Sequence, residues 1–485
     1  MSAADQAAAL KDTSHDTSGT ALRGNMGALE LIFTVMAYNG PAVVFLGFLP
    51  VAILLGNGVG TPVAIIVCGL VIAMVAFGLV KMAGRLDKPG GFYTLITAGL
   101  GRTTGLAAGF TALTCYFLVL VGVYALGGMT LGAVIQEIFD GPHIAWWVLA
   151  LPLLALATVL GHFNINFSAK VLTFFLMCEL ALMVVYDVAV LVQGGAHGIG
   201  FDSFTPHHIF SGSISIAFLF GIGLFGGFEA TVIFRDEVRK PERTIPRATY
   251  GVVALLAGMY ALTAWCFINA YGADAVMGAV SGDLTGSAKN SVKDYVGQFA
   301  YDSATVMFFT SSIALILAAH SITARYLFNL GADGIFPQSL GKAHPRHVSP
   351  HRASIVVSTA ALITIACVTL AKVPESQLYA LLAGLYGYAF MILMVLVALA
   401  IGVYLLRDRL HGPAVAPALS SFIAFGIMCL TLVLATKNFT LLTGATGMTK
   451  TAMLSLIWGV TVLGAVYAVV VRRKKPEVYA RIGRQ

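Results

Sequence analysis

Charged residues are scarce in this sequence, and their scarcity excludes a soluble globular protein. Asp, Glu, Lys and Arg make up 11% of its 485 residues, whereas a soluble domain carries about 25%. Hydrophobic residues make up 58%, and apolar runs long enough to cross a bilayer recur along the chain. The sequence therefore predicts an all-α polytopic membrane protein that lies in a lipid bilayer.

Paired cysteines and a secretory leader are also missing. The six cysteines, from Cys68 to Cys429, lie in apolar segments without a paired spacing. This pattern excludes a disulfide framework and predicts reduced, packed thiols. The first 24 residues are polar and alanine-rich, without an apolar core or a cleavage site. They are expected to form a disordered cytoplasmic tail rather than a signal peptide.

The basic residues give a net charge of +7, but they concentrate in alternate loops and do not cover one soluble face. No nucleic-acid partner is therefore expected. With the N-terminus in the cytoplasm, 24 of the 29 Lys and Arg residues fall on the cytoplasmic side, as the positive-inside rule predicts. Both termini are predicted to be cytoplasmic. The basic run at 472–475 either fixes this topology or attracts anionic lipid head groups.

Hydropathy, together with glycine and proline punctuation, predicts twelve membrane-spanning helices. The predicted spans are 27–54, 61–81, 104–138, 144–161, 168–193, 209–235, 246–271, 303–332, 353–372, 376–405, 414–436 and 451–471. Residues 25–405 are predicted to form a core of ten helices and 406–472 two further helices. Residues 1–24 and 473–485 are predicted to form the two cytoplasmic tails.

Glycine interrupts the first and the sixth predicted span near the middle. The first contains Tyr38-Asn-Gly-Pro41, where Gly40 permits unusual dihedral angles and Pro41 lacks a backbone donor. The sixth contains four glycines between residues 221 and 227. Interrupted helices at corresponding positions of two halves are typical of a transporter binding site near the bilayer midplane. The pattern predicts a 5+5 inverted repeat followed by two helices, with helices 1 and 6 discontinuous.

The glycines of the sixth span admit three interpretations. Gly221-x-Gly-x-x-Gly226 matches the dinucleotide-binding fingerprint, but no strand precedes it, so nucleotide binding is not expected. An unwound segment would free backbone groups to bind a polar ligand. Close helix packing through Gly223-xxx-Gly227 is the alternative. The break in the first span favours the ligand interpretation.

Ionisable residues inside apolar segments are costly and suggest function. Glu229 directly follows the sixth-span break and could carry a coupling proton, accept from a substrate ammonium or hold the two half-helices together. Lys170 opens the fifth span and could be a fixed charge or a proton carrier where a related transporter binds sodium, or it could snorkel to the interface. Glu30, Glu179 and Asp187 have no partner apparent in the sequence, and no role is assigned to them.

No metal site, cofactor or enzymatic activity is expected. His344, His347 and His351 have the spacing of ligands on one helix face, but Pro345 and Pro350 would break such a helix. A solvated loop is the preferred interpretation. No arrangement of a nucleophile and a base stands out among the other polar residues.

Three sequence motifs resemble the amino acid-polyamine-organocation (APC) permeases. Gly226-Gly-Phe-Glu-Ala, followed by the stretch 236–247, resembles the sixth span and next loop of these proteins. The stretches 325–328 and 331–337 are similar to their eighth-span signature. The stretches 89–93 and 99–101 look like their reentrant loop after the second span.

The resemblance implies twelve helices in the leucine-transporter-type fold, alternating access around helices 1 and 6, and an amino acid or related amine as substrate. It also implies coupling to protons, or exchange, in place of sodium, with Lys170 as the fifth-span lysine, in a bacterial inner membrane. The first span departs from the family pattern because Pro41 cannot donate and Gly40 alone supplies flexibility. The Asn39 side chain could replace lost backbone contacts, which leaves room for an unusual amino acid or an amine.

The residues expected to form the site lie in four groups. The two breaks are expected to wrap the substrate through Tyr38, Asn39, Gly40, Pro41, Phe225, Gly226, Gly227 and Phe228. Tyr116 or Tyr124, with Tyr386 or Tyr388, would act as aromatic gates or simply pack. Glu229 and Lys170 are the proton-coupling candidates, and Asp236, Glu237, Arg239 and Arg325 would close a cytoplasmic gate. A transporter-like receptor and an ion channel or ion transporter are the alternative functions.

Overall fold

The computed structural model describes residues 26–37, 39–86, 91–163, 169–234, 238–344, 347, 349–408 and 411–483. Regular structure in these residues is helical, with one isolated bridge that pairs Met26 with Val238. This agrees with the all-α class predicted from the sequence.

The α-helices of the described residues are numbered in chain order. They are α1 Ala28–Ala37, α2 Pro41–Val43, α3 Leu49–Leu55, α4 Thr61–Ala83, α5 Phe92–Leu100, α6 Arg102–Glu137, α7 Trp146–Phe163, α8 Ala169–Gln193, α9 Pro206–Ile209, α10 Ile214–Gly223, α11 Ala230–Ile233, α12 Pro241–Tyr271, α13 Val276–Gly282, α14 Ser287–Val296, α15 Gln298–Ala332, α16 His351–Leu370, α17 Glu375–Arg407, α18 Val415–Lys437, α19 Phe439–Thr443, α20 Gly447–Lys474 and α21 Pro476–Arg481. A π-helical turn, Val44–Phe48, joins α2 to α3.

Ten helices of the described residues are long and apolar enough to cross a bilayer. The segments Ala28–Met36 and Pro41–Leu55 would form one further span, bent by 46°. The helix α10 in the predicted sixth span is apolar but only 10 residues long. The described residues therefore form a multi-pass helical membrane protein.

The predicted span boundaries agree with the helices to within four residues, except at the starts of α10, α12 and α15, which each differ by five residues from the predicted 209, 246 and 303. α15 begins at Gln298, five residues before the predicted start at 303. The polar residues Gln298 and Asp302 lie in its first turn and lower the hydropathy there. The Gln298 side chain donates to Asp302 Oδ1 over 2.7 Å, one helical turn later, which supports the helical turn outside the apolar stretch.

The first span is interrupted by the backbone of two adjacent residues. Gly40 has φ 63° and ψ 70°, a left-handed conformation that glycine adopts without a steric penalty. Pro41 follows as the first residue of α2, a position where its missing N–H costs no helical hydrogen bond. α1 thus ends at Ala37, and a new helix begins at Pro41.

The sixth span is interrupted over a longer stretch. α10 ends at Gly223, and helix resumes only at Ala230, where α11 begins. Gly227 lies within this break and has φ 100°, which again favours glycine. Both interruptions predicted from the sequence are present.

The interrupted helices lie inside the main hydrophobic core. Buried residues of α1–α4, α10, α12 and α17 form this core, and α4 packs against α12, α10 and α18. A smaller core lies between α6, α7, α15 and α16. α6 contacts both cores. It packs against α17 of the main core and α15 of the smaller core, and also against α20.

The chain following α20 packs back onto the end of the bundle that α5 and the last turn of α15 form. Ile482 is only 1% exposed, and the Gly483 N–H donates to Tyr93 Oη over 3.1 Å. The Tyr93 hydroxyl in turn donates to Asp333 Oδ2 over 2.7 Å. Burial raises the pKa of Asp333 above its ordinary value. The segment joins α5 to the end of α15.

Candidate binding site at the helix breaks

A cavity of about 100 Å³ lies between the two helix breaks. The two breaks and the residues beside them contribute one part of its wall, and α6, α15 and α17 contribute the rest. The first part consists of Asn39, Val43, Val44, Phe48, Gly223, Leu224 and Gly226. The lining side chains are apolar except for Asn39, Tyr379 and Tyr386, and none of the described lining residues carries a charge. The cavity can therefore hold a small molecule against backbone groups and hydroxyls.

Asn39 connects the break in the first span (the first break) to the break in the sixth span (the sixth break). Its side-chain amide donates to Leu224 O over 2.8 Å and to Gly226 O over 3.4 Å. Its carbonyl oxygen accepts a hydrogen bond from the hydroxyl of Tyr260 on α12. One side chain thus satisfies two carbonyls that unwinding leaves without helical partners.

Glu229 lies at the end of the sixth break and is 5% exposed. Its Oε1 accepts from the Tyr116 hydroxyl over 3.2 Å, and its Oε2 accepts from the Gly227 N–H over 3.0 Å. The Tyr116 ring also lies 5.2 Å from that of Tyr326. Glu229 therefore connects the break to α6 and α15 through one tyrosine pair.

Glu179 on α8 holds the first break, although its partners are not apparent in the sequence. It is 5% exposed, and its Oε2 accepts from the Ala42 N–H over 3.0 Å and from the Ser311 hydroxyl over 3.2 Å. Ala42 precedes the lining residues Val43 and Val44. A polar residue within a buried apolar span was the available signal, but its partners are distant in sequence.

The other described residues predicted for the substrate site do not line the cavity; they are Gly40, Pro41, Phe225, Gly227 and Phe228. Gly40 and Pro41 shape the first break, and Tyr38 lies outside the described residues. Phe225 is fully buried and lies against α4, where a Cβ on Gly69 would be 3.3 Å from its ring. Phe228 is also buried, and neither phenylalanine is part of the lining.

The four tyrosines proposed as gates separate into two pairs. Tyr386 lines the cavity, and Tyr116 contacts Glu229 beside it. Tyr124 instead lies 3.4 Å from His320 Nδ1 within the smaller core. Tyr388 contacts Thr436 and Trp458 on the last two long helices. The geometry therefore favours packing roles for Tyr124 and Tyr388.

The chain matches the family model described as amino acid permease over residues 31–479. It belongs to the amino acid permease family. The permease is 25% identical to the low-affinity putrescine importer PlaP of Escherichia coli strain K12, over 72% of the chain and 76% of the relative. It is 23% identical to the human cystine/glutamate transporter, over 61% of the chain and 59% of the relative. The APC resemblance is confirmed, and the protein is a multi-pass membrane protein of a transporter family.

Two of the four cytoplasmic gate candidates of the permease lie in the described residues. Arg239 follows α11 in the chain, and its backbone N–H donates to Met26 O over 3.0 Å. Arg325 is exposed on the last part of α15. Asp236 and Glu237 lie outside the described residues. The gate remains a prediction.

Lys170 is the second residue of α8, and its side chain lies outside the described part of the structure. Glu179 follows nine residues later on the same helix, about 14 Å along its axis at 1.5 Å per residue. Glu179 thus hydrogen-bonds to both the first break and α15.

The histidines of the loop before α16 pack with a further histidine of α7. The His162 ring lies 5.4 Å from His344 and 5.8 Å from His351. No group of His, Cys, Asp and Glu in the described residues is arranged to hold a metal ion.

Replacing Asn39 with alanine should destabilise the permease and reduce its transport. The change leaves Leu224 O, Gly226 O and the Tyr260 hydroxyl without their partner, and one unsatisfied buried group costs about 1–3 kcal/mol. We expect a lower melting temperature of the purified protein and slower uptake in liposomes. Tyr260→Phe removes only one of these hydrogen bonds and should have the smaller effect. Equal melting temperatures for wild type and Asn39→Ala would contradict the linking role.

Proposed function

We propose that the permease is a secondary active transporter that imports a small amino acid or related amine across a bacterial cytoplasmic membrane. Import is coupled to a proton, is independent of sodium and proceeds by alternating access. The observation that carries this proposal is the cavity between two helix breaks that one side chain, Asn39, joins. In a member of a permease family, such a cavity is the natural place for the substrate.

The topology proposed for this transport is twelve spans with both termini in the cytoplasm. The breaks at Gly40 and at residues 224–229 would then fall at corresponding positions of two inverted repeats of five spans. The last two long helices, α18 and α20, would follow the repeats. Rocking of one repeat against the other would expose the cavity to each side in turn.

Glu229 is the proposed proton carrier. It is buried, and its described partners are the Tyr116 hydroxyl and the Gly227 N–H rather than a basic side chain. A buried acid without a fixed countercharge is favourable as a site that gains and loses a proton during a cycle. Because Gly227 belongs to the break, a change in charge at Glu229 would act directly on the substrate cavity.

Exchange of amino acids or amines, or permeation of polyamines and amino alcohols, is the second candidate function. The name of the Escherichia coli relative refers to putrescine, and that of the human relative refers to cystine and glutamate. These names support an amine or an amino acid as cargo. The compounds that the two names mention differ in charge. The lining without charged side chains is compatible with a small amine.

The decisive experiment is uptake of radiolabelled amino acids and amines by liposomes that contain the purified full-length protein. We expect accumulation when the outside is acidic relative to the lumen and no dependence on sodium. Exchange without an imposed gradient would favour the second candidate. Binding without any flux would favour a receptor, and ion flux that ignores amino acids and amines would favour a channel or an ion transporter.

A further inference from the structure

Each helix break holds a carboxylate of this chain on one of its backbone N–H groups. In the first break, the Ala42 N–H donates to Glu179 Oε2 over 3.0 Å. In the sixth break, the Gly227 N–H donates to Glu229 Oε2 over 3.0 Å. Backbone N–H groups of interrupted helices are the usual anchors for an anionic substrate group. In this chain, the carboxyl group of a side chain already occupies one such donor in each break.

The two described hydrogen bonds that Glu179 accepts favour its ionised form. Both of its described partners, the Ala42 N–H and the Ser311 hydroxyl, donate to the same oxygen, Oε2. Pro41 directly precedes Ala42 and has no N–H that could bind a second anion. Ser311 belongs to α15, so Glu179 fixes the first break against two further spans.

No described residue that lines the cavity would neutralise a second carboxylate. None of its described lining residues is a lysine or an arginine, and its polar side chains are Asn39, Tyr379 and Tyr386. A carboxylate in this space would lie near two buried acids in surroundings that screen charge weakly. An ammonium group would instead be attracted to both acids and could donate to the tyrosine hydroxyls.

We propose that Glu179 sets the charge preference of the cavity, so that the site takes a small amine without a carboxylate and excludes the corresponding amino acid. The inference rests on the proposed function, because it narrows the cargo of that same site. Glu179 does not line the cavity. It is a positioning residue, which acts through its charge and through the backbone at Ala42.

The test uses pairs of compounds that differ only by a carboxylate: putrescine and ornithine, cadaverine and lysine, agmatine and arginine, ethanolamine and serine. Binding to the purified full-length protein is measured by thermal stabilisation, and uptake is measured in liposomes. In the pair that contains the cargo, the amine should bind at least about tenfold more tightly than the amino acid.

Glu179→Gln removes the charge while keeping the size of the side chain and an oxygen that can accept from Ala42. This variant should bring the affinity ratio of the pair towards one, whereas Glu179→Asp, which retains the charge, should keep amine preference. Glu30→Gln removes a charge from an exposed position of α1 and should leave the ratio unchanged. A purely structural role of Glu179 would change stability without changing the ratio.

The outcomes separate this inference from the proposed function. Wild-type protein that takes up the amino acid of a pair as well as the amine would overturn the inference and leave transport intact. An unchanged ratio in a folded Glu179→Gln variant would overturn the role of Glu179. The wild-type ratio decides the cargo class even where that variant does not fold. Failure of wild-type protein to take up any amine or amino acid would overturn the proposed function itself.

Discussion

Gly226→Leu is expected to abolish uptake to the level of empty liposomes while leaving the protein folded and expressed. A Cβ at residue 226 would lie 2.6 Å from Tyr386 Oη and 3.3 Å from Gly223 O. The rest of a leucine side chain would extend into the small cavity that Gly226 lines. The variant therefore removes the space for substrate and displaces an aromatic wall residue. Uptake by liposomes and size-exclusion chromatography of the purified variant measure the two effects.

The matched control for this variant is Gly258→Leu. Gly258 lies on the exposed side of α12, and no atom lies within 4 Å of a Cβ built there. The same change of residue at this position should leave uptake at the wild-type rate. Uptake retained in Gly226→Leu would rule out the cavity between the breaks as the substrate site.

The sequence predicts the breaks well because local backbone chemistry determines them. Gly40 followed by Pro41 interrupts a helix in almost any surroundings, since one residue adopts a left-handed conformation and the other lacks a donor. The glycines of the sixth span act in the same way, and Gly227 has a positive φ. Features that depend on a few adjacent residues are therefore accessible without a structure.

The contacts at the breaks depend on residues far apart in the chain, and the sequence does not predict them. Glu179 and Ala42 are separated by 137 positions, and the glutamate looks like any other isolated acid in an apolar span. The same applies to Tyr379, which lines the cavity but does not differ in sequence context from a packed tyrosine. The sequence suggests that the Asn39 side chain replaces backbone contacts that a break with Pro41 loses, but it does not predict the bonds from Asn39 to carbonyls of the sixth break.

Asn39 also explains how the breaks can differ from the family pattern and still form a cavity. A first break with Pro41 offers fewer backbone donors than a glycine-rich one. The amide of Asn39 adds two donor groups beside it, but the structure directs them to carbonyls of the sixth break. The side chain therefore stabilises the wall of the cavity, and its polar groups are largely used before a substrate enters.

Glu229→Gln is expected to abolish proton-driven accumulation while preserving exchange of substrate across the membrane. Glutamine has nearly the same size, and its oxygen can accept from either the Tyr116 hydroxyl or the Gly227 N–H. It cannot gain and lose a proton in the physiological range. The cavity should therefore still bind and reorient, but an acidic outside should no longer drive uphill uptake.

Two assays on the same liposomes distinguish these properties of Glu229→Gln. Uptake against an imposed pH gradient measures coupling, and counterflow with substrate on both sides measures reorientation alone. Glu30→Gln, on the exposed side of α1, is the control for loss of one acid. Accumulation by Glu229→Gln with the wild-type pH dependence would exclude Glu229 as the carrier. Because counterflow needs no net proton movement, its loss together with accumulation would instead mean that the contacts from Glu229 to Tyr116 and Gly227 maintain the cavity.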